Sequence, residues 1–360
     1  MGQLILKLFL PSVLLLGLPL LGIALIGEPL APFLTFPPRT YFVSHAPFSW
    51  SHFAFVAVLA FILIITLIWL VRRDLVSKQP AAASAPAGRW PWWGWLGVAT
   101  LAISWILAWT RFPWFADLQP HTFVPLWLSY IVTINAWTYF RSGQCLLRNR
   151  PGYLAMLFPL SAVFWWYFEY LNRFVASWHY VGVEDFSAMR YTLHATLAFS
   201  TVLPAVLSTV EWLNSMLRPP PTAVAIHLSR HQSQTLSIIV LVVSVMALTG
   251  LGIWPDYVFG FVWIAPALLL LAFQGLVGEP VLVNQLRTRG WQTIYLPALA
   301  ALQCGFFWEM WNYYSQAKWL YSIPFVQRFS IFEMPILGYA GYLPFGIQCI
   351  VIASLIRRTD

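Results

Sequence analysis

The sequence predicts an all-α polytopic membrane protein with about ten transmembrane helices: two at the N-terminus, then a duplicated four-helix unit. Three observations carry this reading. Apolar residues make up 60% of the chain and charged residues only 9%, where a soluble domain carries about a quarter charged residues. A surface this apolar needs lipid as its solvent. The apolar residues come in runs of about 20, the length that crosses a bilayer, divided by short loops. Finally, an aromatic segment with a Glu-x-x-Asn pair occurs twice, at Glu169 and Asn172 and again at Glu309 and Asn312.

The first predicted span is Leu4–Ile26. Lys7 and its apolar run also fit a signal peptide, but no small-x-small cleavage site follows, so the reading is a retained anchor. A Pro-rich outer loop, with Pro37-Pro38-Arg39, runs to Trp50. The second span, Phe53–Val71, stops at Arg72 and Arg73. Residues 79–89 form a Pro/Ala linker with no means of building a core. It divides a two-helix unit, residues 1–78, from a body of two four-helix repeats, 90–218 and 219–360. The body reads as eight spans: Trp93–Thr110, Phe123–Phe140, Tyr153–Leu171, Tyr191–Trp212, Thr235–Ile253, Phe259–Val277, Gln292–Tyr313 and Pro335–Ile356. With both termini cytoplasmic, the inner segments hold fourteen basic residues, from Lys7 to Arg358, and the outer segments six. That imbalance obeys the positive-inside rule and points to the plasma (inner) membrane of a bacterium. It also explains the net charge of +8 without nucleic acid.

The repeat is carried by offsets. Glu309 and Asn312 each follow their counterparts by 140 residues, as Pro344 follows Pro204. Trp319 and Tyr321 follow Trp178 and Tyr180 by 141. A unit of four spans restores the original orientation, so the two copies are expected to be parallel, related by an axis along the membrane normal. Pro204 and Pro344 fall near the middle of spans and predict kinks there. Gly338, Gly341 and Gly346 predict close backbone approach.

Residues three apart share a helix face, and ionisable groups inside a span are functional candidates by default. Glu169 and Glu309 are therefore the candidate catalytic residues. Asn172, Asn312, Trp165, Trp308, His194 and Glu333 are the candidate substrate-binding residues. Trp165 leads Glu169 by four and Asn172 by seven, one helical face. Each residue also has a structural reading: the acids as helix clamps, His194 and His179 as interfacial or core histidines, Glu333 as the first-turn cap of the last span, and Lys318 and Arg328 as lipid-headgroup contacts. No HExxH or CxxC spacing supports a metal, no motif implies a cofactor, and the odd count of three cysteines argues against a disulfide framework.

A carboxyl group taken out of water favours its neutral form and can deliver a proton, and aromatic faces stabilise cations. That chemistry suits an enzyme working on a lipid or isoprenoid substrate near the outer face. A transporter or lipid-moving protein with its site between the repeats is the alternative, and a non-catalytic membrane subunit or assembly factor, its protein partner unidentified, is a third. Against transport, Glu211 stands out as almost the only polar residue in the inner halves of the spans.

Overall fold

The computed structural model describes residues 9–76, 89–217, 229–278 and 281–356. Lys7, Lys78, Arg218, Arg357, Arg358 and residues 79–88 of the linker lie outside the described residues. The fold is almost wholly helical. Helices α1 (Leu10–Leu25) and α2 (Trp50–Val76) precede α3 (Trp92–Trp109), α4 (Phe123–Ser142) and α5 (Pro151–Val175). Strand β1 (Trp178–Val181) leads to α6 (Ala188–Phe199) and α7 (Val202–Leu217). The chain continues through α8 (Arg230–Ile253), α9 (Ala265–Leu276), α10 (Val281–Arg289) and α11 (Gln292–Tyr313). Strands β2 (Lys318–Tyr321), β3 (Ser330–Ile331) and β4 (Met334–Pro335) come before α12 (Tyr342–Ser354).

Among the described residues, six helices are long and apolar enough to cross a bilayer: Trp50–Asp74, Trp92–Trp109, Pro151–Val175, Ala188–Leu217, Arg230–Ile253 and Ile336–Ser354. Pro255–Trp263 and α9 would make a seventh span, bent by 56°. Helices α4 and α11 are long enough but too polar to meet that criterion, and their position explains why. Both line the centre of the bundle, where Ser129, Asn135, Thr138, Glu309 and Asn312 are buried against protein. The outer helices instead turn large apolar side chains outward, such as Phe55 and Phe61 on α2 and Met246 on α8. Water would not tolerate so continuous an apolar surface.

Packing repeats in kind. Helix α3 lies on α4, and α8 lies on α9. Helix α7 is central, touching α4, α5, α11 and α12. The two N-terminal helices dock at different places: α1 on α8 and α9, and α2 on α11 and the 3-10 turn Ile336–Gly341. The α1–α8 contact is backbone to backbone. A Cβ on Gly22 would come within 2.1 Å of the Thr249 carbonyl oxygen, and one on Gly252 within 2.4 Å of that of Pro19.

The mid-span prolines do not kink continuous helices. Each lies in the first turn of a new one, where its missing N–H has no helical partner to lose. Pro204 follows a break between α6 and α7, and Pro344 follows the 3-10 turn that opens α12. Ser161 of α5 bridges the first break: its hydroxyl donates to the Phe199 carbonyl (2.6 Å) and accepts from the Leu203 amide (3.0 Å). The backbone groups freed in an apolar setting thus find partners inside the bundle. Of the expected close approaches, Gly346 makes the tightest, since a Cβ there would come within 2.0 Å of the Pro297 carbonyl oxygen.

Strands β1 and β2 pair antiparallel, Trp178 opposite Tyr321 and Tyr180 opposite Trp319. The Pro-rich loop from Glu28 to Trp50, read from sequence as exposed, keeps most of its residues exposed but is strapped across this end of the bundle. Arg39 donates to the Phe186 carbonyl (2.6 Å), Arg173 to that of Phe33 (2.6 Å), and Ser322 to that of Val43 (2.6 Å). His45 bridges Asp256 (2.7 Å) and the Ala176 carbonyl (3.1 Å).

Candidate functional site

Near the end of α5 lies Glu169-Tyr-Leu-Asn172, and both polar side chains are fully buried. Asn172 lies in the last turn of α5 and shapes the turn into β1. Its amide nitrogen donates to the Trp178 carbonyl (2.7 Å) and to Thr40 (3.1 Å), and its oxygen accepts from the Ser177 amide (2.9 Å). Between these contacts Ala176 adopts a left-handed φ of 43°, a conformation that costs a residue with a Cβ and needs such support. The turn sends β1 back past Glu169. Alternate strand residues share a face, so Trp178 and Tyr180 both reach the carboxylate. Glu169 Oε1 accepts from Tyr180 (2.7 Å), Trp165 (3.0 Å) and Trp178 (3.1 Å).

Glu309 on α11 has a matching environment. Asn312 donates to the Trp319 carbonyl (2.8 Å) and accepts from the Trp319 amide (2.9 Å), which holds β2. Glu309 Oε1 accepts from Tyr321 (2.7 Å) and from Tyr342 of α12 (2.7 Å). Trp319 donates to the Tyr321 hydroxyl (2.8 Å), one step away from the carboxylate. The position that corresponds to Trp165 is Gly305. A Cβ there would meet the Tyr342 ring at 2.4 Å. The missing side chain therefore makes room for Tyr342, which supplies the donor that Trp165 supplies in the first site. Burial pushes the Tyr180 and Tyr321 phenols well above their ordinary value, so both act as donors at neutral pH. In both glutamates the second oxygen, Oε2, is buried without a hydrogen-bond partner.

The remaining candidates are dispersed. Trp308 touches neither carboxylate by hydrogen bond and packs on Trp127 (5.0 Å between centroids) and Tyr342 (6.0 Å). His194 pairs with His121, Nδ1 to Nδ1 at 3.1 Å, against Phe186. Glu333 does not cap the last span. It sits in the β3–β4 turn and forms an ion pair with Lys318 at 2.5 Å. Lys318 is thereby a protein contact, and Arg328 lies over the Phe48 ring at 4.4 Å. His179 stands beside Phe42, and burial lowers its basicity.

Sequence reasoning missed three features. The Tyr hydroxyls that grip the carboxylates were legible as a W-x-Y repeat, but no signal marked Tyr342. At mid-depth, Tyr130 of α4 meets Thr209 of α7 (2.8 Å) and Gln303 of α11 (3.1 Å), with Cys304 at 3.5 Å from Thr209. Asn135 also donates to Ser208 (2.9 Å). These residues are spread singly over several spans, which is why the inner halves looked apolar. Lastly, a cleft of about 400 Å³ opens at the end of the bundle opposite β1 and β2, beside the ion pair of Arg150 and Glu211.

Comparison of the chain with protein-family models, with curated proteins and with solved structures finds no match.

Proposed function

We propose that the chain is an integral membrane protein of about ten spans, two N-terminal and eight in two parallel four-span halves, with both termini cytoplasmic in a bacterial plasma membrane. In this reading it acts on a lipid or isoprenoid substrate by carboxyl acid–base chemistry at Glu169 and Glu309. Two matches support the repeat: the shared Glu–Tyr and Asn–strand contacts of the two copies, and the β1–β2 register. The register sets Trp178 opposite Tyr321 and Tyr180 opposite Trp319, so a twofold at the His179–Leu320 pair would exchange Trp178 with Trp319 and Tyr180 with Tyr321, the pairs that the sequence offset relates.

The observation that carries the chemical reading is the asymmetry within each carboxyl group. One oxygen is fixed by aromatic donors, and the other is buried with no partner. A carboxyl held this way is oriented by Oε1 and exchanges its proton at Oε2. Near Glu169, the rings of Trp165, Phe168 and Phe345 pack against one another, and aromatic rings are the groups that stabilise a cation. Asn172 and Asn312 position the strands that carry the donors. Trp165 donates to Glu169 directly, and Trp308 packs on Tyr342, the donor to Glu309.

The test is Glu169→Gln and Glu309→Gln. Glutamine keeps an acceptor oxygen for the Tyr and Trp donors, so the clamp survives and only the exchangeable proton is lost. Extractable lipids and pigments from cells carrying each variant should lose a product that the parent makes, while the purified variants melt like the parent. An unchanged lipid profile in both variants rejects acid–base catalysis.

The mid-depth polar cluster of Tyr130, Thr209, Gln303 and Cys304 favours transport as the second reading. It places hydroxyl, amide and thiol groups between the inner cleft and the carboxyls. Proton-dependent flux of a lipid into proteoliposomes, abolished by Glu309→Gln, would replace the enzymatic reading.

A further inference from the structure

Three distant parts of the chain meet at His45. The residue belongs to the strap, and its ring lies between the turn after α5 and the short turn that follows α8. Nδ1 is 2.7 Å from Asp256 Oδ1, and Nε2 is 3.1 Å from the Ala176 carbonyl oxygen. The next residue of the strap joins in, since the Ala46 amide donates to Asp256 Oδ2 (3.2 Å). The His45 side chain is only 8% exposed.

These partners fix the number of protons on the ring. A carbonyl oxygen only accepts, so Nε2 carries a hydrogen. A carboxylate also only accepts, so Nδ1 carries one as well. Imidazole is more basic than a carboxylate, about 6.5 against about 3.9, so the shared proton rests on the ring. His45 is therefore an imidazolium in this arrangement. A neutral ring has one N–H for two acceptors. The charged acceptor makes the stronger bond, so a neutral His45 keeps Asp256 and releases the Ala176 carbonyl. Ala176 is the left-handed residue (φ 43°) between Asn172 and β1, and its turn sends Trp178 and Tyr180 to Glu169.

Among the described residues, Asp256 is the one charged group bonded to this ring. On the strap, Arg39 donates to the Phe186 and Ser187 carbonyls. At the end of α5, Arg173 donates to the Phe33 and Thr35 carbonyls. His179 of β1 lies against Phe42, and Tyr257 lies against Phe325. His52 of α2 bonds Ser49 and stacks on Phe325, and Arg328 lies over Phe48.

We propose that His45 and Asp256 form a pH-sensitive latch, which fastens the strap to the end of α5 while the ring is an imidazolium and releases it as the pH rises. Imidazoles change charge between about pH 5 and 8. The latch is independent of the chemistry proposed for Glu169 and Glu309. Its sign is opposite to that of His179, whose basicity burial lowers.

Asp256→Asn separates a titrating latch from a plain structural contact. The new amide can donate to Nδ1 of a neutral ring, leaving Nε2–H for Ala176, while its oxygen accepts from Ala46. This variant should stay fastened at every pH. The full chain is purified in a neutral detergent with ¹⁵N-labelled histidine, and the His45 ring signals are assigned as those lost in His45→Ala. Both ring nitrogens of the parent should carry hydrogen at about pH 6 and only one at about pH 9. Hydrogen exchange of the strap around Ala46 is then compared between parent and Asp256→Asn at equal pH, which cancels the intrinsic pH dependence. The two should match at the lower pH. At the higher pH the parent should exchange about fivefold faster, the effect of one lost hydrogen bond. Equal exchange of parent and Asp256→Asn at both pH values overturns the proposal. A neutral His45 ring at the lower pH also overturns it, and that signal decides the matter if Asp256→Asn fails to fold.

Discussion

At the scale of the residue, the two buried glutamates meet one need with different donors. Burying a carboxyl group is costly unless hydrogen bonds offset it, and in both residues Oε1 is where they are made. Trp165, from the same helix, answers for Glu169, and Tyr342, from the following helix, answers for Glu309 because Gly305 leaves the space. The Glu and Asn positions were legible because three-residue spacing fixes a helix face. Tyr342 was not, because it arrives from another element with no period to betray it. The asparagines should differ in weight. Asn172 holds Thr40 and three backbone groups, the Ser177 and Trp178 amides and the Trp178 carbonyl, whereas Asn312 holds two, the amide and carbonyl of Trp319. Each buried backbone group left unpaired costs about 1–3 kcal/mol, so Asn172→Ala should lower the unfolding midpoint in detergent more than Asn312→Ala. Equal losses would count against the assignment. A pH dependence belongs at this scale too. Burial lowers the basicity of His121, with Arg190 adding to it, and burial alone does so for His179. Both imidazoles therefore hold fewer protons folded than unfolded. Their contribution to stability is complete above their ordinary value of 6.5 and falls as the pH drops through it. Thermal midpoints at pH 7.5 and 5.5 should differ in that direction, and the difference should shrink in His121→Gln.

At the scale of the element, the α6–α7 break shows how a membrane bundle accommodates proline. The position of Pro204 reveals, in the sequence, that something interrupts the span there. It does not reveal that the interruption is a fresh helix start, because Ser161, the partner that makes such a start tolerable, lies on another helix. Ser161→Ala removes a donor and an acceptor at once and leaves the Phe199 carbonyl and Leu203 amide unpaired. The expected loss is about 2–4 kcal/mol, read from the unfolding midpoint. Ser161→Thr keeps the hydroxyl and should recover most of it. If Ser161→Ala melts like the parent, the bridge does not support the break. Similar reasoning explains why α4 and α11 defeat a hydropathy criterion: their polar residues face protein, and only helices that face lipid must be uniformly apolar.

At the scale of the whole molecule, the helical membrane class was plain from composition, because no soluble core can absorb so many apolar side chains. The strap formed by residues 28–50 was not plain. Its anchors are backbone carbonyls such as those of Phe186 and Ala176, which no sequence pattern displays. The β1–β2 pairing can be tested directly. His179 and Leu320 stand opposite each other, and such positions are about 4.5–5.5 Å apart between Cα atoms, within reach of a disulfide. The native Cys145, Cys304 and Cys349 are buried and should not compete. His179→Cys combined with Leu320→Cys should form an intrachain link on mild oxidation, seen as a reducible shift in electrophoretic mobility. Links found only between molecules would show that the register is wrong.

That strand pairing also bears on how the protein is made. Trp178 leaves the ribosome 143 residues before its partner Tyr321. At roughly 5–20 residues per second, this is about 7–30 seconds of synthesis. Throughout that interval the first four body helices can insert, but β1 has no neighbour and its edge amides stay unpaired. Completion of the end that carries β1 and β2 therefore waits for the last part of the chain. A ribosome that stalls or a message that breaks after the first half yields a product with an open strand edge, a mark by which quality control could distinguish unfinished chains from finished ones.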